Sequence, residues 1–318
     1  MTAEERAAAK REGEVNYYSA NATAHGTAMK EAAEKALGIK VNFVRLSSGL
    51  LYNRVLKEFD TNIHAADVVE SSVIAHYIDF KKRGILRPFT PSSLPLYRGK
   101  EYHDAEHYWH AGSVSLGAIN YNTNAIKGDM IPKSWKDLTD AKYKNKVVQG
   151  HLKASGTTAV VTYHLVKLYG WEYFQALRDN NILTQTSCDV LTILSSGERV
   201  IAPCDYQMSG PAKAQGLPIE TTFPREGAFG YVRPVAVMAK APHPNAAKLF
   251  ADWLLSPTGG QTVNVQYGGL TSPMDSPDIK YPDYFPGMSA IKVHIADPKE
   301  FGDWLPEGRR RFSEIFGG

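Results

Sequence analysis

Hydrophobic and polar positions follow the same block order three times in the first seventy-odd residues. A stretch rich in β-branched or aromatic residues runs into small hydroxyl or amide side chains, and then into a segment with helical spacing of apolar residues. The stretches are Val15–Tyr18, Val41–Val44 and Asp67–Val69, and each begins 26 residues after the one before. That interval holds a short strand, a helix of about a dozen residues and two loops, so the pattern predicts β-α-β-α-β with parallel strands.

Small polar side chains follow the carboxyl end of each predicted strand. They are Ser19 and Asn21, then Ser47 and Ser48, then Ser71 and Ser72. In open parallel sheets, ligands bind outside the carboxyl ends of the strands, where helix N-termini present unpaired N–H groups. Helix capping explains any one of these serines, but three in register favour a ligand site. From this half of the chain we select Ser19, Asn21, Ser48 and Ser72, with Ser47 and Ser71 as alternates.

Two long predicted strands divide the rest of the chain. The first, Val114–Tyr121, follows a proline-rich region, and the second, Tyr231–Met238, precedes an amphipathic helix. A new α/β series starts between them at Val147. The pattern predicts lobe one from residues 1–115 and 231–275, lobe two from residues 116–230, and a C-terminal segment, 276–318, that it assigns to neither. The two crossing strands predict a hinge.

Composition excludes several classes of function. A chain of 318 residues with 43% hydrophobic residues can bury the cores of two lobes. A formal charge of +3, from 36 basic and 33 acidic residues, gives no electrostatic reason to expect nucleic-acid binding. No apolar run approaches the roughly 18–20 residues that a bilayer span requires. Residues 1–14 indicate an amphipathic helix and not a signal peptide, so we expect that a signal, if the protein is exported, has been removed.

The two cysteines, Cys188 and Cys204, leave two interpretations open. A bridge would close a loop of roughly 15 residues, for which the chain-entropy model gives about 3 kcal/mol. The sequence does not show whether their Cα atoms approach closely enough. Two buried free thiols are the interpretation that we favour, and the cysteines are compatible with a periplasmic location without proving it.

Several segments together resemble family 1 extracellular solute-binding proteins of ABC importers, in the branch that includes ferric-iron-binding proteins. The matching segments occur in the family's order over nearly the whole chain. They are residues 9–19, Arg45–Gly49 with Arg54, Ala66–Val69, Ile119–Thr123, Ser195–Glu198, Pro244–Phe250, Leu255–Pro257 and Gly260-Gln261.

The resemblance implies an α/β, two-lobed, type II periplasmic-binding-protein fold with two crossover hinge strands. It implies a periplasmic monomer, without a cofactor, that closes its inter-lobe cleft around one small solute and presents it to an ABC permease in the inner membrane. Hinge closure suits this task because each lobe can supply half of the ligand contacts. A sensor that docks on a receptor would need the same cleft, and the sequence does not separate it from an importer component.

The chain departs from its iron-binding relatives at one segment. Those relatives place two adjacent tyrosines there, whose phenolates bind Fe³⁺, whereas this chain has Asp205 followed by Tyr206. An aspartate and one tyrosine could still hold a hard trivalent cation, so ferric iron is the alternative ligand. The main interpretation is that the site has lost iron and binds an organic acid or a phosphonate-like anion.

The second lobe contributes its own candidate binding residues. Ser155, Gly156 and Thr157 lie between a predicted strand and a helix, where backbone N–H groups and hydroxyls can receive an anion. The resemblance places Tyr206 near the cleft, where its hydroxyl can donate to a carboxylate or phosphonate. Possible charge partners of the ligand are Arg45, Arg225 and Arg233.

Metal and enzyme alternatives have weaker signals. The spacing of His103, His107 and His110 would put three imidazoles on one helix face, but the surrounding residues indicate a loop, so we predict no metal site. The sequence lacks the common nucleophile, phosphate-loop, zinc-protease and dinucleotide motifs. A cysteine-dependent transferase on the same fold stays as an alternative, but the acidic neighbours Asp189 and Asp205 would raise a thiol pKa. We therefore predict a binding protein and no enzyme.

Overall fold

A computed structural model describes residues 1–285 and 291–317. The chain divides into two compact units, each built from two separate stretches of sequence. Unit 1 comprises Met1–Val114 and Val232–Pro282, and unit 2 comprises Ser115–Tyr231 and Asp283–Gly318. The C-terminal segment 276–318 is thus shared between the units, and its residues 286–290 and 318 lie outside the described part of the chain.

Helices and strands alternate along most of the chain. The strands are β1 (Glu14–Ser19), β2 (Lys40–Arg45), β3 (Val68–Glu70), β4 (Leu86–Arg87), β5 (His110–Asn122), β6 (Val148–Gly150), β7 (Leu183–Gln185), β8 (Ile201–Asp205), β9 (Ile219–Thr222), β10 (Ala228–Met238) and β11 (Val293–Ile295). The helices are α1 (Ala3–Glu12), α2 (Thr23–Leu37), α3 (Ser48–Asp60), α4 (Ile74–Lys82), α5 (Gly156–Tyr169), α6 (Glu172–Asp179), α7 (Leu191–Ser196), α8 (Tyr206–Ala214), α9 (Pro244–Leu254), α10 (Thr262–Tyr267) and α11 (Pro298–Phe316).

The sheet of unit 1 has the strand order β2-β1-β3-β10. Strand β1 pairs in parallel with both β2 and β3, whereas β10 runs antiparallel to β3. The parallel pairs place the ends of the first three strands at one edge, as the repeated block pattern predicts. Ser19 is paired with Arg45 on one side and with Glu70 on the other, so the residues after these strands share that edge.

The N-terminal helix α1 joins unit 1 through α9. Thr2 and Glu5 form a capping box at the start of α1, and Gly13 ends it with φ +76°. Helix α1 packs against α9, and the Glu12 carboxylate accepts hydrogen bonds from the backbone N–H groups of Asn245 and Ala246. A carboxylate at this position satisfies two N–H groups at the amino end of α9 and complements the helix dipole.

His25 lies in the interior of unit 1, on α2, with 5% of its surface exposed. Its Nε2 is 2.9 Å from Asn264 Oδ1 on α10. Burial, and then the positive charge of Arg233, lower the pKa of His25 from 6.5 to about 4. The folded protein therefore keeps this imidazole neutral at pH values where the unfolded chain protonates it.

Lowering the pH from about 6.5 towards 4 should destabilise the protein through this histidine. Because the folded pKa lies below the unfolded one, the contribution of His25 is complete above the unfolded pKa and is lost as the pH falls to the folded pKa, by roughly 3 kcal/mol. Melting temperatures measured across this range should fall less steeply for His25→Gln than for the wild type. Some slope should remain, since burial also lowers the pKa of His110 to about 3 and that of His164 to about 4. An identical slope in His25→Gln would contradict the assignment.

Unit 2 contains a second set of strands and its own core. Strand β5 pairs antiparallel with β8 and β9, the start of β10 pairs in parallel with β11, and β6 pairs with β7 in a separate two-stranded sheet. The core combines aliphatic residues with several large aromatic residues, among them Trp135, Phe174 and Phe229. Five short 3₁₀ turns lie in the described chain at residues 94–96, 100–102, 128–130, 135–139 and 141–143.

Helix α11 lies in a region that the sequence pattern left without regular structure. It has 19 residues and contains Pro306. Phe301, Trp304 and Phe312 pack against the core of unit 2, and the helix contacts α5 and α6. None of the described helices is both long enough and apolar enough to span a bilayer.

Candidate functional site

A buried hydrogen-bond network lies at the strand ends of unit 1. Ser19 is 0% exposed and Asn21 is 2% exposed. Asn21 Nδ2 donates to Glu70 Oε2 over 2.9 Å, and Arg233 Nη2 donates to Asn21 Oδ1 over 2.6 Å. The hydroxyls of Ser19 and Tyr17 also donate to Glu70 Oε2. Asn21 thus links a buried carboxylate to a buried guanidinium, and the predicted ligand residues Ser19 and Asn21 are held inside this network.

Four buried polar atoms in the same region have no hydrogen-bond partner among the described residues. They are Glu70 Oε1, Ser71 Oγ, Tyr77 OH and Arg233 Nε. Burial raises the pKa of Glu70, and Arg233 together with the donating hydroxyls opposes that rise. Burial also raises the pKa of Tyr77, and Glu70 adds to the increase. Buried polar atoms in native proteins are nearly always paired, so these four indicate positions for ordered water or a bound polar group.

Ser48 and Ser72 lie at the ends of the two neighbouring strands and remain partly exposed. Their hydroxyl oxygens are 3.0 Å apart. Ser47 is the N-cap of α3 and accepts from Leu50 N, so its role matches the capping alternative. The structure brings Ser48 and Ser72 together as an accessible hydroxyl pair.

The amino end of α5 forms the predicted anion group of unit 2. Ser155 is the N-cap, and its hydroxyl accepts from Thr158 N over 3.1 Å. Gly156 is exposed, and a Cβ built on it would meet nothing within 4 Å. In the described part of the chain, no acceptor bonds the backbone N–H groups of Gly156 and Thr157. An anion can approach over Gly156 and accept hydrogen bonds from these two N–H groups. The helix dipole favours its negative charge.

Asp205 lies beside this helix end. The hydroxyl of Thr157 donates to Asp205 Oδ1 over 2.5 Å and lies 3.4 Å from the hydroxyl of Tyr231. Asp205 is the last residue of β8 and the N-cap of α8, although its carboxylate does not cap that helix. The amino end of α5 therefore has two N–H groups without an acceptor among the described residues and a carboxylate close by.

Tyr206 follows Asp205 and is buried, with 4% of its surface exposed. Its ring packs against Phe223 and Phe285 at centroid distances of 5.5 and 5.3 Å. Its hydroxyl is buried and has no partner among the described residues. Burial, with a smaller contribution from Tyr284, raises its pKa well above 10. Tyr206 is thus a neutral phenol with a free donor near the amino end of α8.

The two cysteines form a disulfide, which corrects the free-thiol interpretation. The Cα atoms of Cys188 and Cys204 are 5.5 Å apart, a normal separation for a bridge. Cys204 directly precedes Asp205, so the bridge fixes the strand end that carries Asp205 and Tyr206. With both sulfurs in the bridge, neither cysteine is available as a thiolate nucleophile.

The histidine and arginine candidates have different environments. The rings of His103, His107 and His110 lie 5.6 to 6.0 Å apart in unit 1, but no group of three or more metal-binding side chains in the described chain is arranged to hold an ion. Arg233 belongs to the buried network, whereas Arg45 and Arg225 are exposed.

Two residues of these groups were missed by the sequence analysis. Glu70 ends the apolar run Val68-Val69, and an acidic residue that ends a buried strand was a signal that could have been used. Asp205 was considered as a substitute iron ligand and as an acidic neighbour of the cysteines, but not as a neighbour of α5. Its position beside Thr157 depends on the pairing of β8 with β5 and has no local sequence signal.

The fold agrees with comparisons to known proteins. Residues 67–284, more than half of the chain, match the family of bacterial extracellular solute-binding proteins. This protein therefore belongs to that family. The predicted assignment to the solute-binding proteins of ABC transporters is confirmed, and family members of this kind are binding proteins.

Individual relatives give the same result. A probable ABC transporter periplasmic-binding protein of Sinorhizobium fredii is 28% identical over 252 residues, covering 74% of this chain and 68% of the relative. A putative 2-aminoethylphosphonate-binding periplasmic protein of Salmonella typhimurium is 30% identical over 188 residues, covering 56% of this chain and 52% of the relative. The crystal structure of iron-bound HitA from Pseudomonas aeruginosa superposes with a TM-score of 0.78 at 19% identity, covering 95% of this chain and 99% of HitA. The last comparison confirms the predicted type II periplasmic-binding-protein fold.

Proposed function

We propose that this protein binds a small phosphonate or carboxylate anion in the periplasm and delivers it to an ABC permease in the inner membrane. The observation that carries the proposal is the amino end of α5, where Gly156 and Thr157 offer unpaired N–H groups beneath an unobstructed approach. Anions bind at such helix ends because the N–H groups point at them and the dipole favours negative charge.

Asp205 narrows the class of solute. An anion bound at α5 would lie near this carboxylate and be repelled by it, unless the solute also carries a cationic group. An aminoalkylphosphonate has both charges, and one relative is named as a putative 2-aminoethylphosphonate-binding protein. We therefore favour 2-aminoethylphosphonate and similar zwitterions over simple organic acids.

The unit 1 residues are assigned separate roles in this proposal. The Ser48 and Ser72 hydroxyls are accessible enough to contact a solute. Ser19 and Asn21, bonded to Glu70 and Arg233, hold the strand ends in place. Closure of the two predicted lobes about the crossing strands, and the monomeric state, stay predictions.

A periplasmic location and a transport role without catalysis have independent support. The disulfide is of a kind that persists in oxidising compartments such as the periplasm and is rare in the cytosol. The named relatives are periplasmic binding proteins. The bridge also counts against the cysteine-dependent transferase, because that chemistry requires a free thiolate.

Thr157→Val should weaken binding of 2-aminoethylphosphonate by about 10- to 100-fold, since it removes the hydroxyl that holds the Asp205 carboxylate beside the amino end of α5. Isothermal titration calorimetry of the two proteins measures the ratio. Thr162→Val is the matched control, because Thr162 lies on the same helix and its buried hydroxyl has no partner among the described residues. Its affinity should equal that of the wild type.

Inorganic phosphate and ferric citrate complete the titration series and test the alternative ligand. Tyr206→Phe keeps the ring packed against Phe223 and Phe285 and removes only the hydroxyl. If the wild type binds ferric iron tightly and Tyr206→Phe does not, the solute is ferric iron and not a zwitterion. Equal affinity of the wild type and Thr157→Val would refute the role of the Thr157 hydroxyl, and a wild type that binds none of these anions would refute the α5 site.

A further inference from the structure

A cavity of about 300 Å³ lies within unit 2, at the amino ends of strands β6 and β8. Its walls come from the turn after β5, the residues before β6 and the segment that leads into β8. The amino end of α5 and Asp205 lie beyond the carboxyl ends of the same two strands. Val200 lines the cavity and precedes Asp205 by five residues of extended chain, or roughly 17 Å. The cavity is therefore separate from the residues proposed to bind the transported solute.

Two basic side chains line this cavity without an acidic partner. Lys146 and Arg199 are half-buried, and neither forms an ion pair with a described residue. Arg199 Nη1 donates to the backbone oxygen of Glu198 over 3.2 Å, and Arg199 Nη2 has no acceptor in the described part of the chain. Because removing water from an unpaired cation is unfavourable, two such groups in one cavity favour an anionic ligand.

The remaining polar groups leave the cavity with an excess of positive charge and of donors. Among the described residues that line it, Glu198 is the one acid, so Lys146 and Arg199 give the lining a net charge of +1. The Glu198 side chain is exposed and pairs with neither of them. Asn145 Oδ1 accepts a hydrogen bond from Asn181 Nδ2 over 2.6 Å, which leaves the Nδ2 group of Asn145 to donate to a ligand.

The other side chains of the lining are apolar. They belong to Ala125, Ile126, Met130 and Val200. The volume lies at the lower end of the range of about 300–1,000 Å³ that is typical of small-molecule sites. A ligand that fills the cavity therefore carries an apolar body beside its charged group.

We propose that this cavity is a second ligand site, which binds a small phosphate monoester with an apolar body. The Arg199 guanidinium and the Lys146 ammonium donate to the phosphate oxygens, and the apolar body contacts Ile126 and Met130. A phosphate monoester suits two basic side chains better than a carboxylate does, because it carries a charge of about −1.5 to −2 at pH 7. The guanidinium fork also matches its oxygens. This site is independent of the solute proposed for α5 and requires no movement of one unit against the other.

Phenyl phosphate is the probe, and phenol is its uncharged control. In amide NMR spectra of the full chain, Gly197 reports on this cavity and Gly156 on the amino end of α5, so one titration follows the two sites separately. The Gly197 signal should shift saturably with phenyl phosphate. Phenol should not shift it at the same concentrations, because it lacks the charged group that the two basic side chains bind.

Arg199→Met and Lys146→Met should each weaken the binding of phenyl phosphate at Gly197 by at least about tenfold, since each removes a charged donor. Lys136→Met removes the same charge from an exposed lysine of unit 2 that does not line the cavity, and should leave the affinity unchanged. Thr157→Val should also leave it unchanged, because Thr157 lies at the amino end of α5. Signals remote from the cavity, at their wild-type positions in each variant, show that the fold is retained.

The proposal is overturned if phenyl phosphate does not shift the Gly197 signal, or if phenol shifts it with similar affinity. Unchanged affinity in both Arg199→Met and Lys146→Met would overturn it as well. The same holds if Lys136→Met weakens binding as much as those two variants do, because the effect would then come from overall charge. Loss of the Gly197 shift in Thr157→Val would place the phosphate at α5 and refute a second site.

Discussion

Replacing Cys188 and Cys204 together with alanine should lower the free energy of unfolding by about 3 kcal/mol. The bridge joins residues 16 positions apart, and its loss releases the unfolded chain from a closed loop of that size. Alanine suits both positions because the sulfurs lie in an apolar cluster with Val148, Leu194 and Ala202. Urea denaturation under oxidising conditions, followed by circular dichroism, gives the difference between the variant and the wild type.

The two single variants provide the control. If the cysteines are bridged, Cys188→Ala alone already breaks the bridge, and adding Cys204→Ala should cost little more. Two independent free thiols would instead give single effects that add up to the double effect. Treatment of the wild type with a phosphine reductant should reproduce most of the loss, and a wild type indifferent to the reductant would count against the bridge.

Glu70→Ala should destabilise the protein by about 3–5 kcal/mol, which is the cost of leaving a buried charge without its partner. The variant removes the carboxylate that accepts from Tyr17, Ser19 and Asn21. It also leaves the Arg233 guanidinium, 7% exposed, with only Asn21 as a partner among the described side chains. Denaturation in urea at pH 7 measures the loss.

A double-mutant cycle tests whether the charges are coupled. Glu70→Gln with Arg233→Met should be less destabilised than the sum of the two single variants, since the double variant has no unpaired buried charge. Glu31→Ala, an exposed acidic residue of α2, is the matched control and should change stability by less than about 0.5 kcal/mol. Strict additivity in the cycle would show that Glu70 and Arg233 do not stabilise each other.

The strands and helices of the first seventy residues were predictable because local patterns determine them. The predicted starts at Val15, Val41 and Asp67 lie within one residue of β1, β2 and β3. Helix α9 was also located from its apolar stripe. In each case one face is apolar and the boundaries carry capping or turn residues, so local preference and tertiary packing agree.

Helix α11 was missed because its local signals contradict its structure. Gly302, Pro306 and Gly308 all disfavour a helix interior. The helix forms because Phe301, Trp304 and Phe312 pack on the core of unit 2, and such packing outweighs propensity. Nothing in the sequence near residue 300 reveals that this core exists.

The candidate site was predictable in outline but not in detail. Strand-end positions pointed to Ser19, Asn21, Ser48 and Ser72, yet only the structure separates the buried pair from the accessible pair. The sequence also did not show whether the cysteines form a disulfide, because the bridge requires β8 and the segment before α7 to lie close together. These distinctions arise from side-chain directions and distances, which sequence spacing does not contain.

The division of each unit into two stretches of sequence sets the order in which the protein can fold. Unit 1 begins at Met1 but needs β10 to complete its sheet and α9 to cover α1. Glu12 cannot cap α9 until Asn245 and Ala246 have been synthesised. During synthesis β3 must therefore remain without β10, and α1 without α9, until roughly three quarters of the chain has emerged, and neither unit can be produced in native form as a single contiguous fragment.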